Sequence, residues 1–245
     1  MEPEEYERMY LLEREHWWYI TTHALIEHYV KKAGNSAPRR LLDVGCGTGR
    51  LVEILQKYGT AEGFDYSDAA IAFCKKRGLT KVWQQDLNDW KPEPGGYDLI
   101  VSVDVLSDGA VRDDIGQIRK FYEALKPGGT LILHLPAFQF LRRGHDEAVW
   151  AVRRYQKSQL KGPLEKMDFR TQLFSYRLFF LFFVIAFRKT LEKLKRSQTP
   201  HSDLGRVSPP LNAYLKLEGR FDNWMVRNVS RLVPVGSSLL IVAQK

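Results

Sequence analysis

Glycines at positions 45, 47 and 49, with an aspartate two residues before the first, form the arrangement in this sequence best suited to chemistry. In Leu41-Leu42-Asp43-Val44-Gly45-Cys46-Gly47-Thr48-Gly49 a strand pattern ends and a helix pattern opens. Residues without a Cβ at that junction let the backbone turn sharply and let a ligand reach the main chain. The N–H groups at the start of the following helix favour an anionic ligand group. A second strand ends at Asp65, where a carboxylate can accept both hydroxyl protons of a ribose. Hydrogen bonds to an ionised carboxylate contribute about 1.5–3 kcal/mol each, enough to fix a nucleoside.

Two cofactors compete for such a loop. A nicotinamide dinucleotide calls for G-x-G-x-x-G, with the third glycine one residue later. Here the pattern is G-x-G-x-G, and Asp43 stands inside the strand. An acid is ill placed beside an anionic pyrophosphate. It suits an ammonium group, such as the one on the methionine part of S-adenosylmethionine.

The elements that must hold this loop follow from the apolar runs. Strands are expected at Arg40 to Val44, Ala61 to Phe64, Lys81 to Trp83, Tyr97 to Val103 and Thr130 to Leu135. Their Val, Leu and Ile content without strict alternation suits strands covered on both faces. Helices alternate with them near Arg50 to Lys57, Asp68 to Lys76 and Ile115 to Leu125. Ser67 is the expected N-cap of the second, with Gly78 just past its end. Lys126-Pro127-Gly128-Gly129 is a turn signal that stops the third. The alternation reads as βαβ units on a parallel sheet.

Beyond Pro136 the pattern changes. A polar, arginine-bearing segment runs to about Lys161, and Phe169 to Tyr176 reads as a strand. Then come an apolar run from Leu178 to Phe187, a cationic stretch through Arg196 and a loop from Ser197 to Pro210. Leu211 to Leu232 sets Leu211, Tyr214, Leu215, Leu217, Phe221, Trp224, Met225, Val229 and Leu232 along one helical face. A last strand spans Ser238 to Ala243. This organisation favours one domain over two: N-terminal lid helices in 1–38, a cofactor-binding core in 39–137, a substrate-side elaboration in 138–210, and a final helix and strand in 211–245.

Several motifs in order resemble the class I methyltransferases that use S-adenosylmethionine. They are LLDVGCGTGR, GFDYS at 63–67, QQDL at 84–87, YDLIVSVDVL at 97–106 and LKPGGTLILHLPA at 125–137. The pattern is most similar to the small-molecule type that includes ubiquinone-biosynthesis O-methyltransferases, over roughly Glu15 to Tyr155. The resemblance implies a Rossmann-like, doubly wound α/β fold: a seven-stranded sheet with an antiparallel last strand, an N-terminal helix and a helical elaboration in the C-terminal half. It also implies that Gly45, Cys46, Gly47 and Gly49 form the loop around the methionine portion, with Asp43 at its ammonium. Asp65 would bind the ribose, and Tyr66 would cover the adenine. Asp86 would accept from the adenine amino group, and the Leu87 backbone would meet a ring nitrogen. Ser102 and Val103 would lie beside the reactive methyl. His16-Trp17-Trp18-Tyr19 looks like an aromatic signature whose helix closes over the cofactor, with Trp17 on the cofactor side and Trp18 and Tyr19 toward the acceptor.

For an oxygen acceptor, His145 is the candidate general base. It could instead brace its loop together with Asp146. Pro136-Ala137, His145-Asp146 and Arg153-Arg154-Tyr155 look like a segment of related enzymes, which makes Arg153, Arg154 and Tyr155 candidate acceptor contacts. Asp108 joins them, because Ser107-Asp108 stands where relatives often carry Glu-His. That departure suggests a different acceptor and puts a carried-over base or metal role at those positions in doubt; no metal site is expected.

Charge is unevenly placed. Residues 1–137 hold 17 Lys and Arg against 21 Asp and Glu, whereas residues 138–245 hold 20 against 8. A basic half suits an anionic partner or is a solvated basic face. The apolar run from Leu178 to Phe187 falls short of the roughly 20 residues that span a bilayer. Flanked by Arg177 and by Arg188, Lys189, Lys193, Lys195 and Arg196, it reads as an interfacial helix on the anionic inner face of a membrane, giving access to an amphiphilic acceptor, or as a buried or dimer-forming helix. The acidic N-terminus has no signal region, and the two cysteines, Cys46 and Cys74, form neither a disulfide framework nor a metal-ligand spacing, so a cytoplasmic setting is expected. Nucleic acid is a weaker reading: Val103-Asp104-Val105-Leu106 replaces the Asn/Asp-Pro-Pro-aromatic motif of base methylation. RNA-hydroxyl or protein methylation and a non-catalytic cofactor-binding module stay as alternatives.

Overall fold

Adjacent residues of the inner strands pack on opposite sides of one sheet. Leu42 and Ile100 join a core with Phe64, Phe121 and Leu133. Leu41, Leu99 and Val101 join another with Leu25, Ile26 and Leu55. Burial on both faces explains why these strands are continuously apolar. The computed structural model describes residues 3–34, 39–194, 205 and 207–245. Its strands are β1 (Arg40–Val44), β2 (Thr60–Asp65), β3 (Val82–Gln84), β4 (Tyr97–Val103), β5 (Leu125–Pro136), β6 (Arg170–Arg177) and β7 (Ser238–Gln244). They form a seven-stranded sheet in the order β3-β2-β1-β4-β5-β7-β6. β7 runs antiparallel to both of its neighbours, and the other pairs are parallel.

The helices are α1 (Pro3–Leu12), α2 (Trp17–Lys32), α3 (Arg50–Leu55), α4 (Asp68–Lys76), α5 (Asp114–Ala124), α6 (Gly144–Ala148), α7 (Lys157–Lys166), α8 (Phe179–Leu194) and α9 (Pro209–Asn228). Ser67 caps α4, its hydroxyl accepting from the Ala70 N–H. Asp113 caps α5 in the same way through Gly116. The turn expected at Lys126 to Gly129 does end α5, but it lies inside β5 as an irregularity: Tyr97 pairs with Leu125 and Leu99 with Thr130. Gly128, at φ 79°, takes the bend. The expected loop from Ser197 to Pro210 lies largely outside the described residues, and its last two prolines open α9.

The apolar stripe of α9 faces outward: Leu211, Tyr214, Leu217, Phe221 and Trp224 are exposed, as is Leu232 beyond the helix end, while Gly219, Asp222, Asn223 and Val226 are buried. The inner face is small and polar because it has partners. A Cβ on Gly219 would stand 2.7 Å from Thr21. Asn223 Nδ2 donates to Thr21 O at 2.7 Å, and Asp222 Oδ1 accepts from Phe179 N at 3.0 Å.

The centre of this packing is Arg177, fully buried at the end of β6. Its guanidinium donates to Thr22 Oγ1 at 2.7 Å, Thr21 Oγ1 at 3.3 Å and His134 Nε2 at 3.2 Å, with Asp222 Oδ2 at 3.8 Å. One side chain thus joins β6, α2, β5 and α9. Gly236 lies flat against its backbone, and a Cβ there would overlap the Arg177 carbonyl. Gly236→Ala should therefore lower stability by about 1–3 kcal/mol through overpacking. Denaturant unfolding would read this as a lower midpoint at unchanged slope; an unchanged midpoint would contradict the packing described.

Candidate active site

The carboxyl ends of β1 and β2 bring the glycine loop against Asp65. Gly45, Gly47 and Gly49 adopt φ of 71°, 53° and 84°, a left-handed region that disfavours side chains. Gly45 N and Cys46 N both donate to Phe64 O, at 2.8 and 2.9 Å. Asp65 Oδ2 accepts from Gly47 N at 2.9 Å, while Oδ1 accepts from Ser67 N at 3.0 Å and the Tyr6 hydroxyl at 3.2 Å. Burial raises the Asp65 carboxyl above its ordinary range, and these donors oppose the rise. Asp43 is buried too. Loss of solvent, and secondarily the charge of Asp65, push it up to about 8. Among the described residues no Lys, Arg or His forms an ion pair with it. A buried carboxyl with no counter-charge is a fit for a ligand ammonium.

A cavity of about 910 Å³ opens at this edge, near the top of the roughly 300–1,000 Å³ range of ligand pockets. Trp17, Asp43, Gly45, Cys46, Gly47, Asp65, Tyr66, Asp86, Leu87 and Val103 all line it. So do Trp18, Tyr19, Asp108, His145 and Arg154. Four expected residues do not. Gly49 is packed against Cys74 and Leu79. Ser102 is fully buried under the sheet edge. Arg153 donates to the carbonyls of Leu106, Asp108 and Val111. The Tyr155 hydroxyl lies 2.8 Å from both Leu106 O and Asp114 Oδ2. These last two side chains hold the loop after β4 in place. Arg154 lines the cavity, but its guanidinium is clamped to Asp146 by bonds of 2.8 and 2.9 Å.

Several residues that sequence patterns left out also face the cavity. The cover over the glycine loop is α1, whereas Trp17 and Tyr19 are core residues opening α2. Met9 sits 3.0 Å from where a Cβ on Gly47 would be. The Glu13 carboxylate accepts from Thr48 Oγ1 at 2.8 Å and pairs with Arg77. Asp104, at φ 58°, closes β4, and its Oδ1 is 3.0 Å from His134 Nδ1. Because Arg177 donates to the other ring nitrogen, His134 Nδ1 carries the proton and donates to Asp104. Trp150 and Leu178 also line the cavity at positive φ, a strained conformation for such side chains that collects at functional sites. Cys46 and Cys74 are free, with Sγ atoms 3.9 Å apart behind the loop.

Residues 15–172 match a family model described as a methyltransferase domain. The chain belongs to the class I methyltransferases, whose cofactor is S-adenosylmethionine. Trans-aconitate 2-methyltransferase of Mycobacterium tuberculosis is 30% identical over 110 residues, 44% of this chain and 41% of that protein. The Acidovorax sp. protein of the same name is 28% identical over 134 residues, 49% of each. The chain thus spans less than half the length of these curated relatives. A Mesorhizobium loti S-adenosylmethionine-dependent methyltransferase shares the fold at TM-score 0.60 and 15% identity, over 89% of this chain and 96% of that one. Phosphoethanolamine N-methyltransferase 2 of Haemonchus contortus, solved with S-adenosyl-L-methionine, shares it at TM-score 0.55 and 18% identity, over 90% of this chain and 52% of that one.

The site fits that cofactor on its own terms: an uncompensated acid suited to an ammonium, a carboxylate suited to a ribose, and between them a loop with glycine at three of its five positions. The pH dependence follows. In the free protein Asp43 is protonated below about 8, and an ammonium beside it favours the ionised form, so binding releases a proton. Affinity should therefore rise with pH between about 6 and 7.5, by up to about tenfold per unit. Calorimetry in buffers of different ionisation enthalpy would detect the released proton, and Asp43→Asn should abolish both effects. Binding that is flat with pH and releases no proton would contradict the pairing.

Proposed function

We propose that this chain transfers the methyl group of S-adenosylmethionine to an oxygen of a small amphiphilic acceptor held in the same cavity. The observation that carries this reading is the continuity of the cavity. One space is lined by Asp43, Gly47 and Asp65 at the cofactor end and by Trp18, Leu181, Ile185 and Leu215 elsewhere. Those apolar side chains suit a hydrophobic acceptor body, and Arg188 on the same wall suits an anionic group. The shared name of the curated relatives supports a small-molecule acceptor.

The bound sulfonium supplies an electrophilic methyl, whose transfer forms an oxygen–carbon bond, breaks the sulfur–carbon bond and leaves a neutral thioether. The chain's residues orient the reactants and exclude water. Holding two reactants in line is worth about 7–11 kcal/mol, so orientation supplies much of the acceleration. His145, on α6 at the cavity wall, takes the acceptor hydroxyl proton. The Asp146 ion pair with Arg154 anchors that helix from behind.

A labelled-methyl assay over phenols, carboxylic acids and amphiphilic alcohols tests the reading. His145→Ala should lower kcat about 10²- to 10⁴-fold with cofactor affinity unchanged. An equal loss of stability and affinity would assign His145 to bracing its loop, and full activity would remove it from the reaction. Transfer to nitrogen acceptors alone would contradict the oxygen assignment.

A further inference from the structure

The exposed stripes of α8 and α9 form one surface. On α8, Phe180, Phe183, Val184 and Phe187 recur at i, i+3, i+4 and i+7 and are all exposed, Phe187 by 66%. On α9, Leu211, Tyr214, Leu217, Phe221 and Trp224 follow one another at spacings of three or four residues and are also exposed. The Phe180 and Phe221 rings, 6.2 Å apart, join the two helices, and Phe221 stacks on Trp224 at 5.7 Å. Single exposed apolar residues need no explanation, but a contiguous face rich in aromatic rings marks an interaction site.

Charge indicates what covers it. At 100° per residue, Arg220 and Arg227 border one edge of the α9 stripe, both exposed. Arg188 is exposed on α8, and Lys193, Lys195 and Arg196 follow it in sequence. Carboxylates are withdrawn from this face: Asp222 is buried, the Glu218 carboxyl oxygens are buried, and α8 holds no acid between Phe179 and Thr190. Rings and aliphatic groups bordered by cations match a bilayer interface with anionic headgroups. Among the described residues no helix is long and apolar enough to cross a membrane, so this surface would lie on one rather than span it. Val184 and Leu211 belong both to the exposed face and to the cavity wall, so the surface is continuous with the site.

We infer that the α8–α9 face seats the protein on an anionic lipid surface, with the cavity opening toward the bilayer. This gives an amphiphilic acceptor a path to the site, and in that respect it rests on the reading of the cavity given above. Flotation of the full chain with vesicles of equal parts phosphatidylcholine and phosphatidylglycerol tests it. Binding is expected there, not to phosphatidylcholine alone, and should weaken as salt rises. Phe183→Glu with Phe221→Glu, and separately Arg220→Glu with Arg227→Glu, should each reduce binding at least about tenfold. Neither pair lines the cavity, so melting temperature and S-adenosylmethionine affinity should stay at wild-type values. No binding to the anionic vesicles overturns the inference while leaving the cofactor site intact. So does a dimer in light scattering that the phenylalanine pair dissolves without any vesicle binding, which would make this face a contact between copies. Vesicle binding without methyl transfer to any acceptor would instead sink the reading of the cavity.

Discussion

Two carboxyl groups buried at the ends of adjacent strands set the terms for everything around them. Asp43 and Asp65 sit at the carboxyl edge of β1 and β2, and burial raises both above the ordinary carboxylate range. A protein tolerates such groups when they neutralise, find donors or wait for a cation. Asp65 has donors: the Gly47 and Ser67 amides and the Tyr6 hydroxyl tie it to the glycine loop, the β2–α4 turn and α1. Asp43 has none among the described residues, and its neutral form stores a preference for a positive ligand. The same bonds that hold Asp65 also shape the loop into which that ligand fits. A ribose diol at Asp65, as proposed, would compete with Tyr6 for Oδ1 and so link cofactor binding to the position of α1.

A second network holds the acceptor side in register with the first. Arg177 bridges β6, β5, α2 and α9, and through His134 it supports Asp104 at the end of β4. The apolar residues of α9 are thereby left outside, because its inner face is occupied by groups that answer this network. Burying a guanidinium is costly unless its donors are met, and here two threonine hydroxyls and an imidazole accept from it, with the Asp222 carboxylate 3.8 Å from Nε as a counter-charge. With its polar face turned inward toward Thr21, Phe179 and Arg177, α9 presents an aromatic face to solvent beside the cavity.

What could be read from the sequence is what depends on local pattern. β4 was expected at Tyr97 to Val103 and α4 at Asp68 to Lys76, and both lie at those residues. Asp43, the glycines and Asp65 stood out because strand ends and glycine spacing are short-range signals. Tyr6, Glu13, Asp104 and Arg177 did not, since their partners lie 59, 35, 30 and up to 156 residues away. Periodicity gave α9 a stripe but no direction, because a polar inner face satisfied by Thr21 and Phe179 looks like an outer one. Arg153 and Tyr155 followed a motif toward the site, yet their polar atoms serve the loop carbonyls beside it.

Everything proposed for the cavity depends on S-adenosylmethionine binding at Asp65 and the glycine loop. Calorimetric titration of the wild type and of Asp65→Ala, with S-adenosylmethionine and with S-adenosylhomocysteine, addresses it most directly. Micromolar binding of both by the wild type is expected. Losing two hydrogen bonds to a carboxylate, at about 1.5–3 kcal/mol each, should weaken the variant at least about 100-fold. If the folded wild type binds neither ligand, or if Asp65→Ala binds them equally well, the cofactor site described here is wrong.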